Sequence, residues 1–107
     1  MTEPSIKPRL DRLLEQGWEL SDDQKKICRD YSFGTFAAAF ALMSQVAKQA
    51  EIMNHHPDWS NSYNRLQICL TTHSLGAITL KDIELAEFIE RQRQLASASE
   101  PGITGRE

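Results

Sequence analysis

The stretch ICRDYSFGTFAAAFALMSQVAKQAEIM, residues 27–53, changes its period partway along. Ile27, Arg29, Tyr31 and Phe33 alternate with Cys28, Asp30 and Ser32, the two-residue repeat of a strand. Beyond Gly34 the repeat lengthens: Phe36, Ala37, Phe40, Met43, Ser44, Ala47 and Ala50 follow helical spacing. Thr35 stands where an N-cap oxygen is wanted. The spacing predicts a strand over 27–33 and a helix over 36–53.

Working outward from this pair, residues 1–7 read as a loose tail. Pro8 suits the first turn of a short helix carrying Leu10, Leu13 and Leu14 on one stripe, with Gly17 as its stop. Trp18 to Leu20 reads as a short strand, and Ser21-Asp-Asp-Gln24 is turn chemistry that closes a hairpin with the strand at 27–33. Downstream, the His-His-Pro segment leaves the long helix as a loop. Asn64, Leu66, Ile68, Leu70 and Thr72 then alternate with Arg65, Gln67, Cys69 and Thr71, predicting a third strand. Ser74 to Gly76 turns the chain, and Ala77-Ile78 is expected to be a brief fourth strand. Thr79-Leu-Lys-Asp82 has the form of a capping box with Asp in place of Glu. It opens a last helix that buries Ile83, Ala86, Phe88 and Ile89 and ends near Arg93. Residues 96–107 are small, polar and Pro/Gly-containing, the composition of a disordered tail. The order is α-β-β-α-β-β-α. Sequential hairpins give an antiparallel sheet whose apolar face needs a cover of helices. The expected fold is therefore α+β, a four-stranded antiparallel sheet covered on one face by three helices, in a single domain over residues 1–95.

The bulk numbers agree. The 107 residues hold 40% hydrophobic and 25% charged side chains, ordinary for a globular domain. A net charge of −3 offers no basic stripe for phosphate neutralisation, so direct nucleic-acid binding is not expected. No apolar run is long enough to span a bilayer. The N-terminal residues lack a basic segment followed by an apolar one, so no signal peptide is expected. Two cysteines make no disulfide framework, and Cys28 and Cys69 are expected to be free thiols in a reducing cytoplasm.

All three histidines lie within 19 residues: His55, His56 and His73, with Glu51 and Asp82 on either side. Histidine gives or takes a proton near working pH, so the cluster points to proton transfer. Each member also has a plain structural explanation. The His pair could be surface residues leaving a helix, His73 could end a strand, and Asp82 could be the helix cap alone. Glu51, one helical turn before His55, could orient that imidazole or only decorate the helix. A zinc site is the sharper rival, but neither His-x₃-His on a helix nor His-x-His on a strand is present.

Taken together, Glu51-x₃-His55-His56-Pro57-x₅-Tyr63-x₉-His73-x₈-Asp82 resembles the signature of the pterin-4a-carbinolamine dehydratases. Trp18 after Gly17, Phe33-Gly-Thr-Phe36, Asn64-x-Leu66-x-Ile68-x-Leu70 and Asp82-x₃-Ala86-x₂-Ile89 extend the likeness over residues 8–93. Asn54 stands where many relatives place an acidic residue, and Thr71 where Ser is common. The resemblance implies a hydro-lyase that removes water from 4a-hydroxytetrahydrobiopterin, recycling the cofactor of aromatic amino acid hydroxylases. It implies His55 and His73 as acid and base, His56 orienting the pterin, and Glu51 and Asp82 fixing imidazole tautomers. It places Asn54, Pro57, Trp59, Tyr63, Thr71 and Thr72 around the substrate. It calls for no metal or cofactor, a pterin substrate, a functional link to a hydroxylase, a homodimer or homotetramer, no membrane and a cytoplasmic setting. Two alternatives stand beside the enzyme: the role of animal members of such a family as dimerisation cofactors of a homeodomain transcription factor, and a non-catalytic pterin-binding or scaffold relative, which would be expected to lose one or more of the histidines. The retained histidines favour the enzyme.

Overall fold

The computed structural model describes residues 6–99, with side chains for residues 6–95. The elements are α1 (Lys7–Gln16), β1 (Glu19–Leu20), β2 (Ile27–Ser32), α2 (Phe36–Met53), β3 (Asp58–Ser62), β4 (Arg65–Leu70) and α3 (Leu80–Ser99). The strands form one antiparallel sheet in the order β1-β2-β4-β3. Strand alternation sends Ile27, Tyr31, Leu66, Ile68 and Leu70 to the covered face, where they pack with Leu10, Leu13, Leu42, Val46, Ile83, Ala86 and Ile89 from the helices. The α+β class, the element order and the helical cover are as the sequence predicts.

Several boundaries differ. The fourth strand is not Ala77-Ile78, which makes only an isolated bridge from Ala77 to Thr72. It is Asp58–Ser62, inside the segment expected to be a loop. A two-residue turn at Tyr63-Asn64 joins it to β4, with Ser62 opposite Arg65 and Tyr63 at φ +55°. Such turns need a positive φ, usually supplied by Gly or Asn; here it falls on Tyr63, while the turn's asparagine, Asn64, takes the second position. On α2 the buried residues are Ala39, Leu42, Val46 and Ala50. The stripe read from the sequence lies partly on the other side, leaving Phe36 and Phe40 exposed and stacked on each other at 5.8 Å. Ile6, expected in a tail, is buried against the core, while residues 1–5 lie outside the described residues. The last helix continues past Arg93 to Ser99, four residues into the expected tail; residues 100–107 lie outside the described residues.

Cys28 and Cys69 are not free thiols. They sit directly opposite each other in the β2–β4 register and are joined as a disulfide. Cross-strand partners present their side chains on the same face at close range, so the register, invisible in the sequence, makes the pair.

Candidate active site

The site is built at the end of the sheet where β4 finishes and β3 begins. Its first part is the exit from α2. Asn54 takes the left-handed conformation at φ +52°, its N–H donates to Glu51, and the His55 N–H donates back to Ala50. This is the Schellman arrangement, in which the residue after the helix reverses the chain; asparagine tolerates that backbone better than most residues. The reversal turns His55 into the protein and leaves His56 outside. Asn54, one of the two departures from the resembled signature, therefore has a conformational task.

The second part is the start of α3. Asp82, fully buried, accepts the Thr79 backbone N–H at 2.9 Å on Oδ2, which is the capping bond expected of it. The same oxygen accepts the Thr72 hydroxyl at 2.8 Å, and Oδ1 lies 2.6 Å from His55 Nε2. Thr72 gives its single proton to Asp82, so the Thr79 hydroxyl, 2.7 Å away, must donate to Thr72. Every neighbour of the carboxylate is thus a donor. His55 Nε2 accordingly carries the hydrogen, and Nδ1 presents its lone pair. A buried carboxylate with this many donors is satisfied, and the polar chain fixes the His55 ring.

The other two imidazoles are exposed, and each has its own carboxylate. His56 Nε2 lies 2.6 Å from Glu51 Oε2. The helical spacing pointed Glu51 at His55, but the chain reversal at Asn54 brings His56 over Glu51 instead. His73 follows β4 in the Thr72–Gly76 turn, and its Nε2 lies 3.2 Å from Asp58 Oδ2. Asp58 was not singled out by the sequence pattern. The one signal for it was its place directly after His-His-Pro, and only the β3–β4 register shows that it meets His73.

Among the remaining expected site residues, Trp59 is half-buried and packs against the core with its strand. Pro57 follows the histidine pair into β3. The Thr71 hydroxyl is engaged with the Lys25 carbonyl at 2.5 Å, tying this end of β4 to the β1–β2 turn. Tyr63 is not brought to the histidines: it stands at the far turn of the β3–β4 hairpin, about 16 Å from Asp58 by strand rise, and is exposed. Among the described residues, no three His, Cys, Asp or Glu side chains gather as a metal-binding group.

The family model for pterin 4 alpha carbinolamine dehydratase matches residues 1–92. This chain belongs to the pterin-4a-carbinolamine dehydratase family. A Rhodospirillum rubrum relative is 42% identical over 93 residues, covering 85% of this chain and 97% of its own. One from Prochlorococcus marinus is 45% identical over 79% of this chain and 90% of its own. Both carry the name pterin-4-alpha-carbinolamine dehydratase provisionally. The crystal structure of a transcriptional coactivator/pterin dehydratase from Brucella melitensis superposes with a TM-score of 0.72 at 36% identity, over 79% of this chain and 93% of that one. A pterin dehydratase-like RuBisCO assembly factor of the alpha-carboxysome shares the fold, with a TM-score of 0.60 at 18% identity over 70% of this chain and 87% of that one. In this dehydratase-family chain, then, the three histidines each put Nε2 against a carboxylate.

Proposed function

We propose that this chain eliminates water from 4a-hydroxytetrahydrobiopterin to give quinonoid dihydropterin, by histidine general acid/base catalysis, in tetrahydrobiopterin recycling. The observation that carries this reading is the pairing of each imidazole with a carboxylate through Nε2, which leaves Nδ1 to exchange a proton with a ligand.

The chemistry needs little else from the protein. The C4a–O bond breaks with its electron pair going to oxygen, and a general acid protonates that oxygen so that water leaves. The N5–H proton passes to a base, and its bonding pair forms the N5=C4a double bond. The atoms balance as substrate giving product and water. Each well-placed acid or base contributes roughly 10²–10⁴-fold. His55, held rigidly by Asp82, and His73, in the exposed turn, take the acid and base roles. His56 orients the pterin, and the neighbouring Asn54, Pro57, Trp59, Thr71 and Thr72 shape its surroundings. Tyr63 would reach a pterin only across a partner subunit or not at all.

The test is a coupled assay with an aromatic amino acid hydroxylase, following decay of the 4a-carbinolamine absorbance without added metal. Catalytic amounts of the protein should speed that decay. Unchanged decay at stoichiometric protein overturns the reading, as does inhibition by a chelator that zinc reverses.

We further propose a homodimer or homotetramer working in the cytoplasm beside such a hydroxylase. Two features support self-association: the edge strands β1 and β3 each have one unpaired side among the described residues, and Phe36 and Phe40 expose apolar surface on α2. Sedimentation analysis reads the assembly. A reducing cytoplasm bears against a lasting Cys28–Cys69 bond, and thiol labelling in freshly lysed cells reads its state there.

A further inference from the structure

We propose that Asp58 is the positioning residue for His73, holding its imidazole with hydrogen on Nε2 and Nδ1 turned to the ligand. The use of that orientation in catalysis rests on the dehydratase reading; the orientation itself does not.

Three observations carry the inference. The first is the contact: Asp58 Oδ2 stands 3.2 Å from His73 Nε2, an ion-pair distance longer than the 2.6 Å hydrogen bonds of the other two histidines, and neither side chain has another polar partner among the described residues. The second is the contrast in rigidity between the two. Asp58 opens β3 and pairs with Cys69 of β4, and Cys69 is bonded to Cys28 of β2. Its backbone is therefore fixed across three strands. His73 sits outside the strands in a turn held by the mutual Thr72 and Ala77 backbone bonds and the Gly76 N–H to Thr72. Groups on sheet strands hold position better than groups on turns, so the strand residue orients the turn residue. The third is the pattern at this end of the sheet. His55 has Asp82, His56 has Glu51, and Asp58 completes the set for His73. Strand alternation puts the Asp58 side chain on the open face of the sheet, opposite to Trp59, which packs on the core. A carboxylate is therefore free to reach the turn without disturbing the interior.

His73 and Asp58 side chains are 71% and 58% exposed, so water screens the pair and its contribution is modest. Replacing Asp58 should lower kcat/KM by about three- to tenfold, mainly through kcat, far less than removing a histidine.

The experiment uses the full chain labelled with ¹⁵N, as wild type, Asp58→Ala and Asp58→Glu, with melting temperatures recorded for each. Long-range ¹H–¹⁵N correlation spectra, taken where the imidazoles are neutral, report the tautomer of each histidine. In the wild type His73 should be in the Nε2–H form. In Asp58→Ala it should move to a mixture of tautomers while the His55 signals stay unchanged, and Asp58→Glu should restore much of the wild-type state. In the dehydratase assay, the Ala variant should lose activity and the Glu variant recover part of it. An unchanged His73 tautomer in Asp58→Ala overturns the proposal whatever the activity does. A shifted tautomer with wild-type turnover overturns its role in the reaction. If the wild type itself shows no dehydratase activity, the functional reading fails, and the spectra still decide whether Asp58 orients His73.

Discussion

Asp82 serves two structures with one carboxylate. Oδ2 caps α3 through the Thr79 N–H, and Oδ1 holds His55. Caps of this kind are worth about 0.5–2 kcal/mol, and leaving the buried His55 N–H and the Thr72 hydroxyl without their acceptor costs about 1–3 kcal/mol more. Asp82→Ala should therefore fall clearly in melting temperature and lose most activity. Asp82→Asn keeps an oxygen for the cap but can present an amide N–H toward Nε2, inverting the tautomer. It should retain most of the stability and lose activity out of proportion. Melting curves and kcat on the folded protein distinguish the cases, and wild-type turnover in Asp82→Asn would reduce Asp82 to a helix cap. The histidines divide along the same line. His55→Ala and His73→Ala should each lower kcat by roughly 10–10³-fold, with the double variant lower than either. His55→Ala should also destabilise the protein, because it leaves a carboxylate buried with one donor fewer. His73→Ala should not, since His73 is exposed. Equal stability in the two variants would contradict the buried His55–Asp82 pair. The motif spacing put His55, His73 and Asp82 forward as candidates from the sequence, and the fold brings His55 and Asp82 into contact. Which carboxylate each imidazole meets was not legible, because that depends on a left-handed residue at Asn54 and on a strand register.

At the scale of elements, one acid on α3 ties together β2 and the connection between α1 and β1. Glu90 Oε2 accepts the Trp18 indole N–H at 2.9 Å, the Tyr31 hydroxyl at 2.5 Å and the Arg29 guanidinium at 2.9 Å. Arg29 also donates to the Gln16 carbonyl, and it crosses so close to Gly17 that an added Cβ would lie 2.7 Å from its guanidinium carbon. Glycine is favoured there by its φ of +122°, whereas the guanidinium is the far end of a flexible side chain and can give way to a Cβ. Burial, and then the bond to Glu90, push the Tyr31 hydroxyl well above its ordinary value. The folded state therefore favours the neutral phenol. The stability this gives is fully present below pH about 10, the ordinary tyrosine value, and is lost as pH rises beyond it. Tyr31→Phe should cost about 1–3 kcal/mol at neutral pH and should soften the alkaline fall in melting temperature relative to the wild type. An identical alkaline profile in the two proteins would remove Tyr31 from that account. The element pattern around this clamp was largely legible, since Leu10, Leu13, Tyr31, Ile83 and Ile89 keep their periods. β3 was not: Asp58-Trp-Ser-Asn-Ser62 has the composition of a turn, and it becomes a strand because it lies at an edge and pairs with β4 on one side only. On α2, alanine and phenylalanine occur on more than one face, so hydrophobic spacing could not say which face is buried.

Across the whole molecule, the sheet carries one covalent cross-link outside the helical core. Cys28 and Cys69 are 41 residues apart, so their bond closes a loop that contains β2, all of α2 and the β3–β4 hairpin. Nothing in the local sequence around either cysteine signals the other, and only the register of β2 on β4 brings them together. In the chain-entropy description, closing a loop of this length restricts the unfolded state by up to about 4 kcal/mol, with measured bonds commonly giving less. The folded state gains little from the bond, because β2 and β4 already pair along their whole length. The consequence is specific. Reduction should leave the fold and the His55–Asp82 network in place while lowering the unfolding free energy by about 2–4 kcal/mol. A Cys28→Ser, Cys69→Ser double variant should melt near the reduced wild type and be indifferent to added thiol. Thiol titration of the unreduced, denatured protein should find neither cysteine free. If both titrate, or if reductant leaves the wild-type melting temperature unmoved, the cross-link does not hold the molecule together, and the sheet and its helical cover stand on packing alone.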